Sequence, residues 1–170
     1  MLVFLVGLPG SGKTTLGKQL AKKTGYAFSD LDELIVNTQQ VSIEYIFKHH
    51  GESAFRNMES ECLHTYSKST NTIVSTGGGA PCFNDNMEWM NANGITVFLK
   101  PPLSELAHRL NANNNSHRPM LKGLNEEELF LFLENRLQDR IPFYSQALYV
   151  IDKSNPSAKD ILEKIEHELQ

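Results

Sequence analysis

The first residues able to do chemistry are Gly7-Leu8-Pro9-Gly10-Ser11-Gly12-Lys13-Thr14, which have the spacing G-x-x-x-x-G-K-[ST] of a phosphate-binding loop. Glycines there let consecutive backbone N–H groups turn inward and form a concave anion nest. The positive end of a following helix points at the same place. Lys13 would then reach the β- and γ-phosphates of a nucleotide, and the Thr14 hydroxyl would be a ligand for Mg²⁺. Further on, Asp30-x-Asp32 offers two carboxylates. One could hold Mg²⁺ through water and the other could accept or orient a hydroxyl proton of an acceptor, although either could instead cap a helix. Gly77-Gly78-Gly79 reads as a second backbone nest, a site of close approach, or a flexible turn. Arg56 could pair with Glu52 or Glu59 on its own helix, Arg140 could sit at a helix C-terminus, and Arg118 could simply be solvated in a loop.

Periodic patterns supply the elements that must position these residues. Leu2-Val3-Phe4-Leu5-Val6 is an apolar strand before the glycine-rich loop, and Leu16, Leu20 and Ala21 stripe a helix that Gly25 ends. Strands are predicted at 26–29, 72–75, 95–99 and 148–151. Between them, helices are predicted after Asp32, from Ser42 to a break at Gly51, and from Glu52 to about Ser69. Others run through Met87–Met90, from Pro101-Pro102 to about Leu110, from Asn125 to a stop at Pro142, and from Asn155-Pro156 to the C-terminus. Asn111–Ser116 is the one low-complexity stretch and reads as a mobile loop. Five apolar strands separated by helices predict a parallel sheet covered on both faces, a three-layer α/β/α domain. Ligands in such sheets bind beyond the carboxyl ends of the strands, so the loop, Asp30, Asp32 and Gly77–Gly79 should share one rim.

With 170 residues, the chain is long enough for one core and too short for two ordinary domains. Its formal net charge of −4 provides no field to attract nucleic acid, so any anion must be captured locally. No stretch approaches a membrane span, and Cys62 and Cys82 read as buried thiols of a reducing cytoplasm. The six histidines are adjacent or scattered and do not suggest a metal site.

Six motifs in order tie these features to a family: G-L-P-G-S-G-K-T-T at Gly7–Thr15, D-L-D at Asp30–Asp32, G-E-x-x-F-R at Gly51–Arg56, S-T-G-G-G-A at Ser75–Ala80, R-P-M-L at Arg118–Leu121 and R-I-P-F-Y at Arg140–Tyr144. On these the chain resembles the shikimate kinases, P-loop proteins of the nucleoside-monophosphate-kinase-like group. The resemblance covers the chain essentially end to end. It implies a single domain over 1–170, a five-stranded parallel sheet, and an inserted mobile lid at about 111–123. The implied reaction is ATP-dependent phosphorylation of the 3-hydroxyl of shikimate, in aromatic amino-acid biosynthesis, by a cytoplasmic monomer with no nucleic-acid or membrane partner.

Carried over residue by residue, the resemblance implies that Gly10, Ser11, Gly12, Lys13, Thr14 and Thr15 hold the ATP phosphates. Thr14 and Asp30 would hold Mg²⁺, with Asp30 acting through water. Asp32 would bind substrate hydroxyls and accept the proton of the attacking one. Arg56 and Arg140, with the Gly77–Gly79 backbone, would clamp the substrate carboxylate, and Arg118 on the lid would meet the transferring phosphate. Arg109 and Pro156 would flank the adenine. The residue chemistry agrees: a compact carboxylate needs planar bidentate donors, which arginine supplies and lysine does not. Two rival readings are a kinase of another small hydroxy acid, such as gluconate, and a catalytically inactive nucleotide-binding regulator.

Overall fold

Strand β1 (Leu2–Val6) is buried at every position, and it lies at the centre of the sheet. A continuous apolar run suits a strand covered on both faces. The structure, a computed structural model, describes residues 1–67, 70–112, 121 and 123–169. Within them α1 (Lys13–Thr24), β2 (Ala27–Asp30), α2 (Leu31–Gln39), α3 (Ile43–His64), β3 (Thr72–Ser75) and α4 (Asn86–Asn93) follow β1. They are succeeded by β4 (Ile95–Leu99), α5 (Leu103–Ala112), α6 (Glu126–Tyr144), β5 (Tyr149–Ile151) and α7 (Ala158–Ile165). The five strands are all parallel, in the order β2-β3-β1-β4-β5.

Side chains alternate across the sheet. Leu2, Phe4 and Val6 pack with Leu31, Ile35, Ile46, Phe55, Leu106 and Leu133, so α2 to α6 cover one face. Val3 and Leu5 pack with Leu16, Leu20, Ile161 and Ile165, so α1 and α7 cover the other. The expected three-layer α/β/α architecture with a five-stranded parallel sheet is therefore present. No helix among the described residues is long and apolar enough to cross a membrane.

Register brings the chemistry to one edge. Ser75 at the end of β3 is paired on one side with Asp30 and on the other with Leu5, two residues before the glycine-rich loop. Three successive strand ends thus open onto the same rim.

Several element boundaries differ from the sequence expectation, four of them instructively. Strand β2 runs one residue later and includes Asp30. Helix α3 is interrupted at Gly51 (φ 80°, ψ 174°), a left-handed φ that suits glycine, and its second half ends at His64 rather than near Ser69, which lies outside the described residues. Pro142 does not stop α6, which continues to Tyr144. So near the C-terminus the missing N–H removes a single helical bond, and Ser145 N–H still donates to the Ile141 carbonyl at 2.9 Å. Helix α7 begins at Ala158, since Ser157 and Asp160 form a reciprocal cap and Asn155 has a left-handed φ of 46°.

Candidate active site

The phosphate loop joins β1 to α1 in the expected manner. Gly10 and Gly12 take φ values of 81° and 95°, which turn the backbone amides inward at the start of α1. Lys13 is buried, and its ammonium donates to the Gly7 carbonyl at 2.8 Å and the Leu8 carbonyl at 2.9 Å. The cation is thereby held at the mouth of the loop. Ser11 is fully buried and lies 3.4 Å from the Lys13 Nζ, so its hydroxyl faces the inside of the loop.

Beside the loop is a set of oxygen donors. Thr14 Oγ1 donates to Asp30 Oδ2 at 2.8 Å and lies 3.2 Å from Ser75 Oγ. Asp30 uses its other oxygen, Oδ1, to accept from Asp32 N–H at 3.1 Å, capping α2. Helix capping thus occupies one carboxylate oxygen of Asp30 and the Thr14 hydroxyl the other. An all-oxygen group beside a phosphate loop suits a hard ion such as Mg²⁺. Ser75 was not among the sequence candidates, although its position at the end of β3 was a signal. No group of three or more His, Cys, Asp or Glu side chains able to hold a metal occurs among the described residues.

The turn at Gly77–Gly79 is surrounded by charge. A methyl group on Gly77 would stand 2.6 Å from Glu59 Oε1 and 2.9 Å from Asp32 Oδ1. One on Gly78 would stand 2.9 Å from Arg140 Nη1, and one on Gly79 would stand 2.5 Å from Arg56 Nη1. Two carboxylates and two guanidinium groups thus press on three consecutive glycines. Arg56 is 12% exposed, bonds Glu59 at 2.8 Å and Glu52 at 3.0 Å, and lies over the Phe83 ring at 4.5 Å. Arg140 faces Tyr144, whose hydroxyl donates to the Gly78 carbonyl at 2.5 Å.

The electrostatics of this cluster follow from its dryness. Loss of hydration pushes the Glu59 carboxyl up to about 7, against the pull of Arg56 and Arg140 and with the repulsion of Asp32. Burial lowers the pKa of Arg56, but Glu59 and Glu52 together outweigh it and leave the group raised. Burial pushes the Tyr144 phenol up to about 12 and the Cys82 thiol up to about 11, so both are neutral hydrogen-bonding groups at pH 7. Cys82 is half-buried rather than fully buried, and neither cysteine is in a disulfide.

A cleft of about 730 Å³ connects these parts, lined among others by Lys13, Thr14, Asp32, Gly78, Arg109 and Pro156. Gly10, Gly12, Thr15, Asp30 and Gly77 also line it, whereas Arg56, Gly79 and Arg140 adjoin it through the glycine turn. At the far end Arg109 donates to the Gly10 carbonyl at 3.3 Å and to Asn155 Oδ1 at 3.2 Å. Arg118, and residues 113–120 and 122 of the expected lid, lie outside the described residues.

Comparison with known proteins bears on the family and the fold. The family profile "Shikimate kinase" matches residues 9–170. A shikimate kinase of Parabacteroides distasonis is 49% identical over 150 residues, which cover 88% of this chain and 86% of that one. The crystal structure of shikimate kinase from Bacteroides thetaiotaomicron superposes with a TM-score of 0.88 at 38% identity, covering 99% of this chain and 98% of the other. Shikimate kinase from Acinetobacter baumannii, solved in complex with shikimate, gives a TM-score of 0.84 at 32% identity over 99% and 92% of the two chains.

Proposed function

The chain belongs to the shikimate kinase family, an ATP-dependent phosphotransferase acting on shikimate, and from that premise we propose how its own residues carry the reaction. Lys13 and the amides of Gly10, Ser11, Gly12, Thr14 and Thr15 hold the triphosphate at the N-terminus of α1. Arg109 and Pro156 take the adenine. Thr14 and Asp30 would hold Mg²⁺, which when bound supplies charge neutralisation across the β- and γ-phosphates.

The acceptor side is built from the glycine turn. Arg56 and Arg140 clamp the carboxylate of shikimate with charge-assisted bonds, together with the backbone of Gly77, Gly78 and Gly79. Asp32 faces the turn from the cleft side, where it orients the ring hydroxyls and takes the proton from the 3-hydroxyl as that oxygen attacks the γ-phosphorus and the bond from phosphorus to the departing ADP oxygen breaks. Phosphoryl transfer demands placement and charge more than covalent chemistry, and this arrangement supplies both. Arg118, which lies outside the described residues, would add positive charge at the transferring group.

The observation that carries this reading is the convergence on Gly77–Gly79 of Asp32, Arg56 and Arg140, from three different helices. A net charge of −4 supports an enzyme without a nucleic-acid partner, and two thiols outside any disulfide support a reducing compartment such as the cytoplasm. Asp32→Asn removes the proton acceptor while keeping its size. It should lower kcat by about 10²- to 10⁴-fold with ATP binding intact, measured by coupled ADP release and by calorimetry. A kcat within threefold of the unaltered enzyme would remove Asp32 from the chemistry.

A further inference from the structure

Glu105 lies in the first turn of α5, four residues before Arg109, and forms an ion pair with it. An ordinary surface pair would end there, with both groups otherwise in water. Glu105 instead accepts the Asn155 N–H with both oxygens, each at 3.1 Å, from a turn 50 residues further along the chain. That turn lies between β5 and α7 and carries Pro156. Asn155 holds a left-handed φ of 46°, uncommon for non-glycine residues although asparagine takes it more readily than most. The ring of bonds closes when Arg109 donates to Asn155 Oδ1 and to the Gly10 carbonyl of the phosphate loop.

We propose that Glu105 is a positioning residue for the nucleotide: one carboxylate fixes both the plane of Arg109 and the Asn155-Pro156 turn, and so sets the width of the slot between them. The inference rests on the reading of Arg109 and Pro156 as the walls of the adenine slot. A guanidinium held edge-on by a carboxylate keeps its flat face available for stacking, and a free one would sample many rotamers. Without Glu105 the Asn155 N–H loses its acceptor and the opposite wall can relax.

The test compares Glu105→Gln, Glu105→Ala and Arg109→Ala in the full chain, reading KM for ATP, KM for shikimate, kcat and inhibition by inorganic tripolyphosphate. Tripolyphosphate occupies the phosphate loop and has no base to place. Glu105→Ala should raise KM for ATP about tenfold, the loss of one charge-assisted bond. Glu105→Gln, which is nearly isosteric and keeps one acceptor for Asn155, should give a smaller rise and carries the test if the alanine variant fails to fold. KM for shikimate, kcat at saturating ATP and the tripolyphosphate Ki should stay at wild-type values in both. If Arg109→Ala raises KM for ATP while both Glu105 variants leave it unchanged, the slot stands and the positioning role is overturned. If Arg109→Ala itself has no effect, the slot reading fails and the inference falls with it. A parallel rise in KM for shikimate or in the tripolyphosphate Ki would mark general loosening and also overturn it.

Discussion

Gly79→Ala separates space from backbone strain in the proposed carboxylate clamp. Gly79 sits at φ −90° and ψ −22°, which alanine adopts freely, so the backbone should not resist the change. The added methyl carbon, however, would lie 2.5 Å from Arg56 Nη1, 2.6 Å from Nη2 and 2.7 Å from Cζ. Ordinary contact requires the guanidinium to retreat by roughly 1 Å. Retreat is opposed by the bonds to Glu59 at 2.8 Å and Glu52 at 3.0 Å and by the Phe83 ring 4.5 Å away. A displaced Arg56 forfeits its charge-assisted bonds to the substrate carboxylate, about 1.5–3 kcal/mol, so the shikimate Kd should rise by about 10- to 150-fold. Isothermal titration of the variant with shikimate measures this directly, and a parallel titration with ATP should be unchanged. Arg56→Ala should weaken shikimate comparably, and the double variant should add little beyond either, because both remove one interaction. A shikimate Kd within twofold of wild type in Gly79→Ala would refute the assignment of Arg56 to the carboxylate.

Two further substitutions examine the groups behind that clamp. The Glu59 carboxyl is raised from 4.5 to about 7 by burial, so its protonated form contributes stability that is complete below pH 4.5 and lost as pH rises through about 7. The span corresponds to roughly 3 kcal/mol, and Glu59→Gln abolishes it. Melting curves from pH 5 to 8 should therefore fall for the wild type relative to the variant, and parallel curves would contradict a titrating Glu59. Tyr144→Phe removes the hydroxyl that donates to the Gly78 carbonyl at 2.5 Å. It should cost about 1–3 kcal/mol in urea unfolding and raise KM for shikimate, while a variant of unchanged stability would show that this carbonyl has another partner.

The sheet, the phosphate loop and most helices were legible in the sequence because their signals are local: an apolar run, a glycine spacing, a cap. Where local signals competed, the structure shows the local partner of each residue. Asp30 was expected either to cap α2 or to support Mg²⁺, and its two oxygens bond Asp32 N–H and Thr14 Oγ1 separately. Arg56 was expected either to pair along its helix or to serve a substrate. The pairing with Glu52 and Glu59 is what aims its guanidinium at Gly79. Pro142 was read as a helix stop from its missing N–H alone, a rule that weakens in the last turn. The links of Glu59 to Gly77 and of Glu105 to Asn155 had no local signature, since they join elements through the fold of the sheet.

A run of three glycines suggests a flexible turn, and the packing argues the opposite. Each of Gly77, Gly78 and Gly79 lacks room for even a methyl group, and in each case the obstacle is a charged side chain. Among the described residues Glu59 Oε1 has no hydrogen-bond partner where it meets Gly77, although the side chain is fully buried. Such a carboxylate is tolerable only if it takes up a proton or finds a donor, which is why its pKa rises so far. Glycine therefore serves here by being small. It lets two guanidinium groups approach the main chain closely, as the proposed carboxylate clamp requires. On that proposal, acceptor specificity depends on the absence of three side chains as much as on the presence of two arginines.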